Sequence, residues 1–158
     1  MNIKNKQNIV IKIGTTSIIK NNKVDSTLLK NLVELVNEYN NQYNFVIVTS
    51  GAVGLGASKL NYESRPKSLK KLQVASAVGQ IELINEYKKE FNKSDMNIAQ
   101  VLITKNLIDD REQFVNTTQA LNELLSQGII PVINENDVVA TEELKFGDND
   151  RLSAIVSI

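Results

Sequence analysis

Short apolar runs alternate with stretches whose apolar residues recur at helical spacing. Residues Asn8 to Ile13 form an apolar run with Lys12 inside it, followed by the small, polar Gly14-Thr15-Thr16-Ser17. The pattern predicts a strand ending in a loop. Leu28, Leu29, Leu32, Val33, Leu35, Val36 and Tyr39 then repeat with helical period, and Asp25-Ser26 can cap their start. Phe45 to Thr49 is a β-branched-rich run that reads as a buried strand, and it leads into Ser50-Gly51-Ala52-Val53-Gly54-Leu55-Gly56.

The second half continues the alternation. A polar stretch from Asn61 to Ser68 contains Pro66, and two helical patterns follow at Leu69–Val78 and Ile81–Phe91, with Gly79 between them. Ile98 to Thr104 is another strand. Asn116-Thr117-Thr118-Gln119 resembles a capping box and predicts a helix that Gly128 ends. Ile129 to Ile133 gives a further strand, where Pro131 removes a donor and points to an edge or end position. Asp148 to Ile158 read as the first turns of a helix. Strands alternating with helices predict an α/β domain with a mainly parallel sheet.

Composition narrows the chemistry. The chain has 158 residues, enough for one domain, and 42% of them are hydrophobic, a globular proportion. Eighteen basic residues balance eighteen acidic ones, so nothing favours nucleic acid or a membrane surface as partner. No apolar run approaches the roughly 20 residues that span a bilayer, and a cytoplasmic location is expected. The chain has no Cys and no His. Thiolate nucleophiles, disulfides, Cys zinc sites and the commonest general base are therefore excluded. Phosphoryl transfer remains open, because it depends chiefly on positioning and on electrostatic stabilisation.

Three polar segments follow strands, where ligands of parallel α/β sheets gather. In Lys12-Ile13-Gly14-Thr15, Gly14 would admit a phosphate to the backbone and Lys12 would supply charge; the same residues also suit an ordinary strand-to-loop turn. The GxxGxG spacing of Gly51, Gly54 and Gly56 is not a dinucleotide fingerprint, and implies either a close-lying ligand or a tight loop-to-helix entry. Asn134-Glu135-Asn136-Asp137 and Gly147-Asp148-Asn149-Asp150 gather carboxylates and amides that require a cation: an ammonium group, a lysine or Mg²⁺. Any one of these acids alone would read as a helix cap.

Taken in order, Lys12-Ile13-Gly14-Thr15, Val48-Thr49-Ser50-Gly51-Ala52-Val53, Ala75-Ser76-Ala77-Val78-Gly79-Gln80, Asp110-Arg111-Glu112-Gln113-Phe114, the segment Pro131 to Asp137, and Phe146-Gly147-Asp148-Asn149-Asp150 resemble the glutamate 5-kinases of the amino acid kinase family. The resemblance implies a three-layer αβα sandwich. Residues 1–158 would be the N-terminal, glutamate-binding part of such a kinase domain; the C-terminal nucleotide-binding part, and an RNA-binding-like domain that many members carry, would lie outside this sequence. By the same resemblance Lys12 contacts the ATP phosphates with Gly14 and Thr15, and Asp150 orients catalytic lysines. Ser50, Gly51, Ala52, Asp137, Asp148 and Asn149 would bind glutamate. ATP and Mg²⁺ are the implied cofactors, proline an implied feedback inhibitor, and a homo-oligomer the implied assembly.

The chemistry fits such a reaction. The side-chain carboxylate of glutamate is ionised at neutral pH, so its attack on ATP needs no general base. Two alternatives share the same residues. One is a binding or oligomerisation module without turnover, because Leu152, Ile155, Val156 and Ile158 are still in helical phase at the last residue. The other is a kinase of the same family acting on aspartate, acetylglutamate, carbamate or a nucleotide.

Overall fold

A computed structural model describes residues 6–104, 107 and 109–139 of the chain. Strand β1 (Gln7–Lys12) is followed by one helical turn, α1 (Thr15–Ile18), where the sequence pattern predicts only a loop. A small antiparallel hairpin comes next, β2 (Ile19–Lys20) and β3 (Lys23–Val24). Its two turn residues, Asn21 and Asn22, have φ of 50° and 60°. Asparagine tolerates this left-handed region, and such a turn matches the twist of paired strands.

Helix α2 (Ser26–Tyr39) starts where the pattern puts it. The Asp25 carboxylate accepts from the backbone N–H groups of Thr27 at 3.0 Å and Leu28 at 3.3 Å. The Lys20 ammonium lies against the same carboxylate, and its hydrogen bond, followed by the two capping bonds, holds the Asp25 carboxyl below the ordinary carboxylate range. Leu29, Leu32, Val33 and Val36 form the buried face of α2.

Strand β4 (Tyr43–Val48) then pairs in parallel with β1, from Gln7↔Tyr43 to Lys12↔Val48. Helices α3 (Ala52–Lys59) and α4 (Leu69–Asn92) precede β5 (Ile98–Ile103), and α5 (Arg111–Ser126) precedes β6 (Ile130–Glu135). A 3-10 turn at Asp137–Val139 ends the described chain. The sheet order is β1-β4-β6-β5, and every pairing in it is parallel.

Alternating side chains give the sheet two apolar faces. Phe45, Ile47, Ile130 and Val132 pack with Leu29, Val36, Leu83, Tyr87 and Phe91 of α2 and α4. Val46, Val48, Ile103 and Ile133 pack on the other face with Leu121, and with Phe114 and Leu125 of α5. Helices on both faces of a parallel sheet make the expected αβα layering, with all four strands ending along one edge.

Two more expectations need correction. The patterns on either side of Gly79 are one 24-residue helix, α4. Gly79 does not break it, because the missing side chain is used for helix packing: a Cβ there would lie 1.8 Å from the Ala52 carbonyl oxygen and 2.5 Å from the Gly56 nitrogen. On α3, a Cβ at Gly56 would reach 1.7 Å from the Ala75 carbonyl oxygen. The backbones of α3 and α4 thus touch directly.

Helix α5 begins at Arg111, so Asn116 is inside it. Its cap is Asp110, which accepts from the Gln113 backbone N–H at 3.0 Å and from Gln113 Nε2 at 2.8 Å. That is a capping box with Asp and Gln in the two roles. Of the two positions expected for Pro131, edge or end, the structure has the second: Pro131 is the second residue of β6, a fully buried strand between two neighbours. The β4–β6 ladder consists of Ile47↔Val132 and Val48↔Ile133, so it starts just past the proline and little is lost by the missing donor. The Gly51 to Gly56 segment has the tight loop-to-helix entry that its spacing allowed: α3 opens at Ala52.

Candidate functional site

The strands deliver Lys12, Val48, Ile103 and Glu135 to the same edge of the sheet. A cavity of about 330 Å³ opens there. Its wall comprises Thr15 of α1, Asn22 of the hairpin turn, residues 50–54 at the start of α3, residues 62–65 of the connector, Leu69 and Leu72 of α4, and Asn134, Glu135 and Asp137 after the core of β6. Of the expected site residues, Thr15, Ser50, Gly51, Ala52 and Asp137 therefore converge. Lys12 and Gly14 stand beside this wall: Ile13 N donates to Val48 O at 2.8 Å, and Lys12 Nζ lies 3.7 Å from the position a Cβ on Gly14 would take. Asp148, Asn149 and Asp150 lie outside the described residues.

Gly51 makes the turn from β4 into α3. Its φ is 105°, and a Cβ would come within 2.9 Å of Ile19 Cγ1 and 3.2 Å of Ile18 Cγ2. Both facts require glycine. Gly51 O accepts from Leu55 N at 3.0 Å, which is the first intrahelical bond, and no side chain caps this end of α3. The N–H groups of Ala52, Val53 and Gly54 precede that bond in the first turn and have no acceptor within the helix. They belong to residues of the cavity wall, and the helix dipole there favours negative charge.

The opposite polarity comes from β6 and α4. Ser76 Oγ donates to Asp137 Oδ2 at 2.8 Å, and Asn134 Nδ2 donates to Gln80 Oε1 at 2.7 Å. Ser76, Gln80, Asn134 and Glu135 are all buried. Ser76 and Gln80 are four residues apart on one face of α4, the spacing at which helical side chains stack. The glycine contact with α3 fixes the rotation of that face.

Beneath the floor, Thr49 is completely buried and accepts from the Tyr87 hydroxyl at 2.9 Å. Burial pushes the Tyr87 phenol far above its ordinary value, so it remains a neutral donor. Tyr87 also stacks on Phe91, with centroids 6.4 Å apart. Tyr87→Phe is expected to cost about 1 kcal/mol, the usual value of one buried neutral hydrogen bond. Urea denaturation checks this; an unchanged midpoint would mean that the bond contributes nothing.

Several wall residues escape sequence reasoning. Tyr62 and Arg65 come from the polar stretch read as a connector, and Asn22 from an unanticipated hairpin. Behind the wall, Ser76 and Gln80 belong to the Ala75 to Gln80 segment quoted for the family resemblance, which attached no role to either. Asn134 and Glu135 had a signal, their place in the Asn134 to Asp137 segment. Among the described residues of the wall, Arg65 is the single cation, against the acids Glu63, Glu135 and Asp137. One cavity therefore combines the donor-rich N-terminus of α3 with the carboxylates of Glu135 and Asp137 at the end of β6, while the connector adds Arg65 and Glu63. Such a cavity can take a small zwitterion. No group of three or more acidic residues placed to hold a metal ion occurs among the described residues.

Comparison with known proteins gives a consistent result. The model of the amino acid kinase family matches residues 7–158. The glutamate 5-kinase of Prochlorococcus marinus strain MIT 9301 is 49% identical over 152 residues, covering 94% of this chain and 42% of that protein. The glutamate 5-kinase of Haemophilus influenzae strain PittEE is 44% identical over 156 residues, covering 98% and 42%. The chain thus spans less than half the length of these relatives. The crystal structure of the T. acidophilum isopentenyl phosphate kinase product complex superposes with a TM-score of 0.50 at 12% identity, over 81% of this chain and 54% of that one, and supports the fold alone. With its parallel sheet, its layering and the family match over nearly its whole length, the chain belongs to the amino acid kinase family.

Proposed function

We propose that the chain forms the glutamate-binding part of a glutamate 5-kinase, which transfers the γ-phosphoryl group of ATP to the side-chain carboxylate of glutamate. The observation that carries this reading is the two-sided cavity at the strand ends, donor-rich at α3 and acceptor-rich at β6. The identity to glutamate 5-kinases over 94–98% of the chain supports the choice of amino acid.

In this reading the substrate ammonium sits against Asp137, and Ser50 with the first N–H groups of α3 receives carboxylate oxygen. Asn149 and Asp148 complete the glutamate contacts. A carboxylate oxygen of glutamate bonds to the γ-phosphorus while the bond from that phosphorus to the bridging oxygen breaks, and ADP leaves with the electron pair. No proton moves, which is why a chain without His suffices. The difficulty is the approach of two anions. Lys12, next to Gly14 and Thr15, offsets it by holding charge on the transferring group, and Asp150 orients the lysines. Mg²⁺ would supply further charge neutralisation on the ATP phosphates, with one or two carboxylates of the protein sufficing to hold it. Proline as feedback inhibitor, homo-oligomeric assembly and a cytoplasmic location belong to the same proposal; among the described residues no helix is long and apolar enough to cross a membrane.

Two measurements test the proposal. Calorimetry on this chain reads binding of glutamate, aspartate and acetylglutamate, and trapping with hydroxylamine reads acyl phosphate formed from each with ATP and Mg²⁺ when the chain is joined to the C-terminal part of a glutamate 5-kinase. Glutamate is expected to bind at least about tenfold more tightly than the others, a difference one well-placed charged contact provides. Preference for another acceptor would overturn the substrate. Tight glutamate binding without any acyl phosphate would favour the binding-module alternative.

A further inference from the structure

The described wall of the cavity holds the carboxylates of Glu63, Glu135 and Asp137 and a single cation, Arg65. Glutamate brings two carboxylates and one ammonium group, so it enters that wall as a net anion. Arg65 is exposed, and its guanidinium has no ion pair or hydrogen bond among the described residues. The connector that carries it is tied down. Leu60 N donates to Gly56 O and Tyr62 N to Ala57 O, both at 2.9 Å, which holds its start to α3. The Lys71 ammonium lies 5.6 Å from the centroid of the Tyr62 ring, a contact with α4. Pro66 follows Arg65 directly and restricts the Arg65 backbone to extended conformations. The side chain thus starts from a backbone with few alternatives, which lowers the ordering cost of meeting a ligand.

We infer that Arg65 determines specificity by pairing with the α-carboxylate of glutamate, the carboxylate that is not phosphorylated. The inference rests on the glutamate reading and deepens it. A guanidinium is planar and meets both oxygens of a carboxylate with two parallel N–H donors. On the side-chain carboxylate such a clamp would occupy the oxygens that must approach the γ-phosphorus, and would neutralise the charge that makes them nucleophilic. On the α-carboxylate it obstructs nothing. The α-carboxylate and the ammonium group share one carbon, so Arg65 and Asp137 together hold the amino acid end of the molecule from the same cavity wall. The side-chain carboxylate is left for the transferring phosphoryl group. Such a wall accepts an α-amino acid and discriminates against an amine that merely carries a distant carboxylate.

The test compares glutamate with two analogues on the full chain. Glutamine keeps the α-carboxylate and the ammonium group but has a neutral side chain. In contrast, γ-aminobutyrate keeps the ammonium group and the distant carboxylate and lacks the α-carboxylate. Neither analogue has a net charge, so a general effect of the Arg65 charge acts on both alike. Calorimetry reads glutamate binding, and displacement of glutamate reads each analogue. Arg65→Ala is expected to weaken glutamate and glutamine about five- to tenfold each, while γ-aminobutyrate changes by less than about twofold. Arg65 is exposed, so the substitution should leave the fold intact. A loss for γ-aminobutyrate with glutamine unaffected would put the guanidinium on the side-chain carboxylate and overturn the inference. Equal losses for all three ligands would mean that Arg65 only shapes the connector, and unchanged affinities that it touches no ligand; either result overturns the inference as well. Failure of the unaltered chain to bind glutamate would instead remove the glutamate reading, and the inference with it.

Discussion

Gly79→Ala is expected to lower stability by about 2 kcal/mol or more, although helix propensity alone predicts a gain. Alanine is favoured over glycine inside a helix by about 1 kcal/mol, and Gly79 is well inside the 24-residue α4. Against that gain stands a Cβ placed 1.8 Å from the Ala52 carbonyl oxygen and 2.5 Å from the Gly56 nitrogen. Both atoms belong to backbone, so no rotamer change relieves the clash. The two helices must separate. Overpacking usually costs about 1–3 kcal/mol, and more where nothing soft can yield. At about 2–4 °C per kcal/mol for a domain of this size, the thermal midpoint should fall by about 4–8 °C.

Gly54→Ala is the matched control. Gly54 is also helical, but nothing lies within 4 Å of its Cβ position. There the propensity gain acts alone, and stability should rise by up to about 1 kcal/mol. Opposite signs at two helical glycines 25 positions apart would establish the α3–α4 contact. A rise in midpoint for Gly79→Ala would show that the helices do not touch as described.

Gly79 also shows where sequence reading reaches its limit. Periodicity locates elements by the face they bury, and α2 and β4 were legible because Leu29, Val36, Phe45 and Val48 carry that pattern unambiguously. A glycine in a helical pattern carries no such sign. Whether it ends a helix or lets a neighbour approach depends on what its absent Cβ would meet, a tertiary fact. Pro131 left an edge and an end position open for a related reason: the missing donor disfavours a central strand only where the neighbour's ladder reaches it, and here β4 begins to pair one residue later. The α5 start was read one turn and a half too late, since Asn116-Thr117-Thr118-Gln119 imitates a cap and Asp110-Gln113 is the real one.

The site divides in the same way. Ser50, Gly51, Ala52 and Asp137 were legible because they lie directly after strands, where the topology of a parallel sheet collects ligands. Ser76 and Gln80 were not, since their partners are 61 and 54 positions away and no local pattern announces a hydrogen bond. They nevertheless set the geometry of Asp137 and Asn134. In this fold the strand ends supply the polar atoms and α4 aims them.

Asp137→Ala should therefore have the largest effect on binding. Asp137 is partly buried in the cavity wall, and Ser76 Oγ fixes one of its oxygens from 2.8 Å. A carboxylate held in this way meets an ammonium at little cost in ordering. Removing one member of a hydrogen-bonded charge pair commonly costs about 2–5 kcal/mol, because the other charge is left desolvated without its partner. The lower half of that range corresponds to a loss of about 100-fold in glutamate affinity. Asp137→Asn separates charge from shape. Its amide oxygen can still accept from Ser76, so the turn should keep its place while the negative charge is gone, and a loss nearer tenfold is expected. Glutarate, without the ammonium, should be affected far less by either change. Calorimetric titration of both ligands into both variants reads these numbers directly. Unchanged glutamate affinity in Asp137→Ala would remove Asp137 from the site, and an equal loss for glutarate would reassign it to holding the fold.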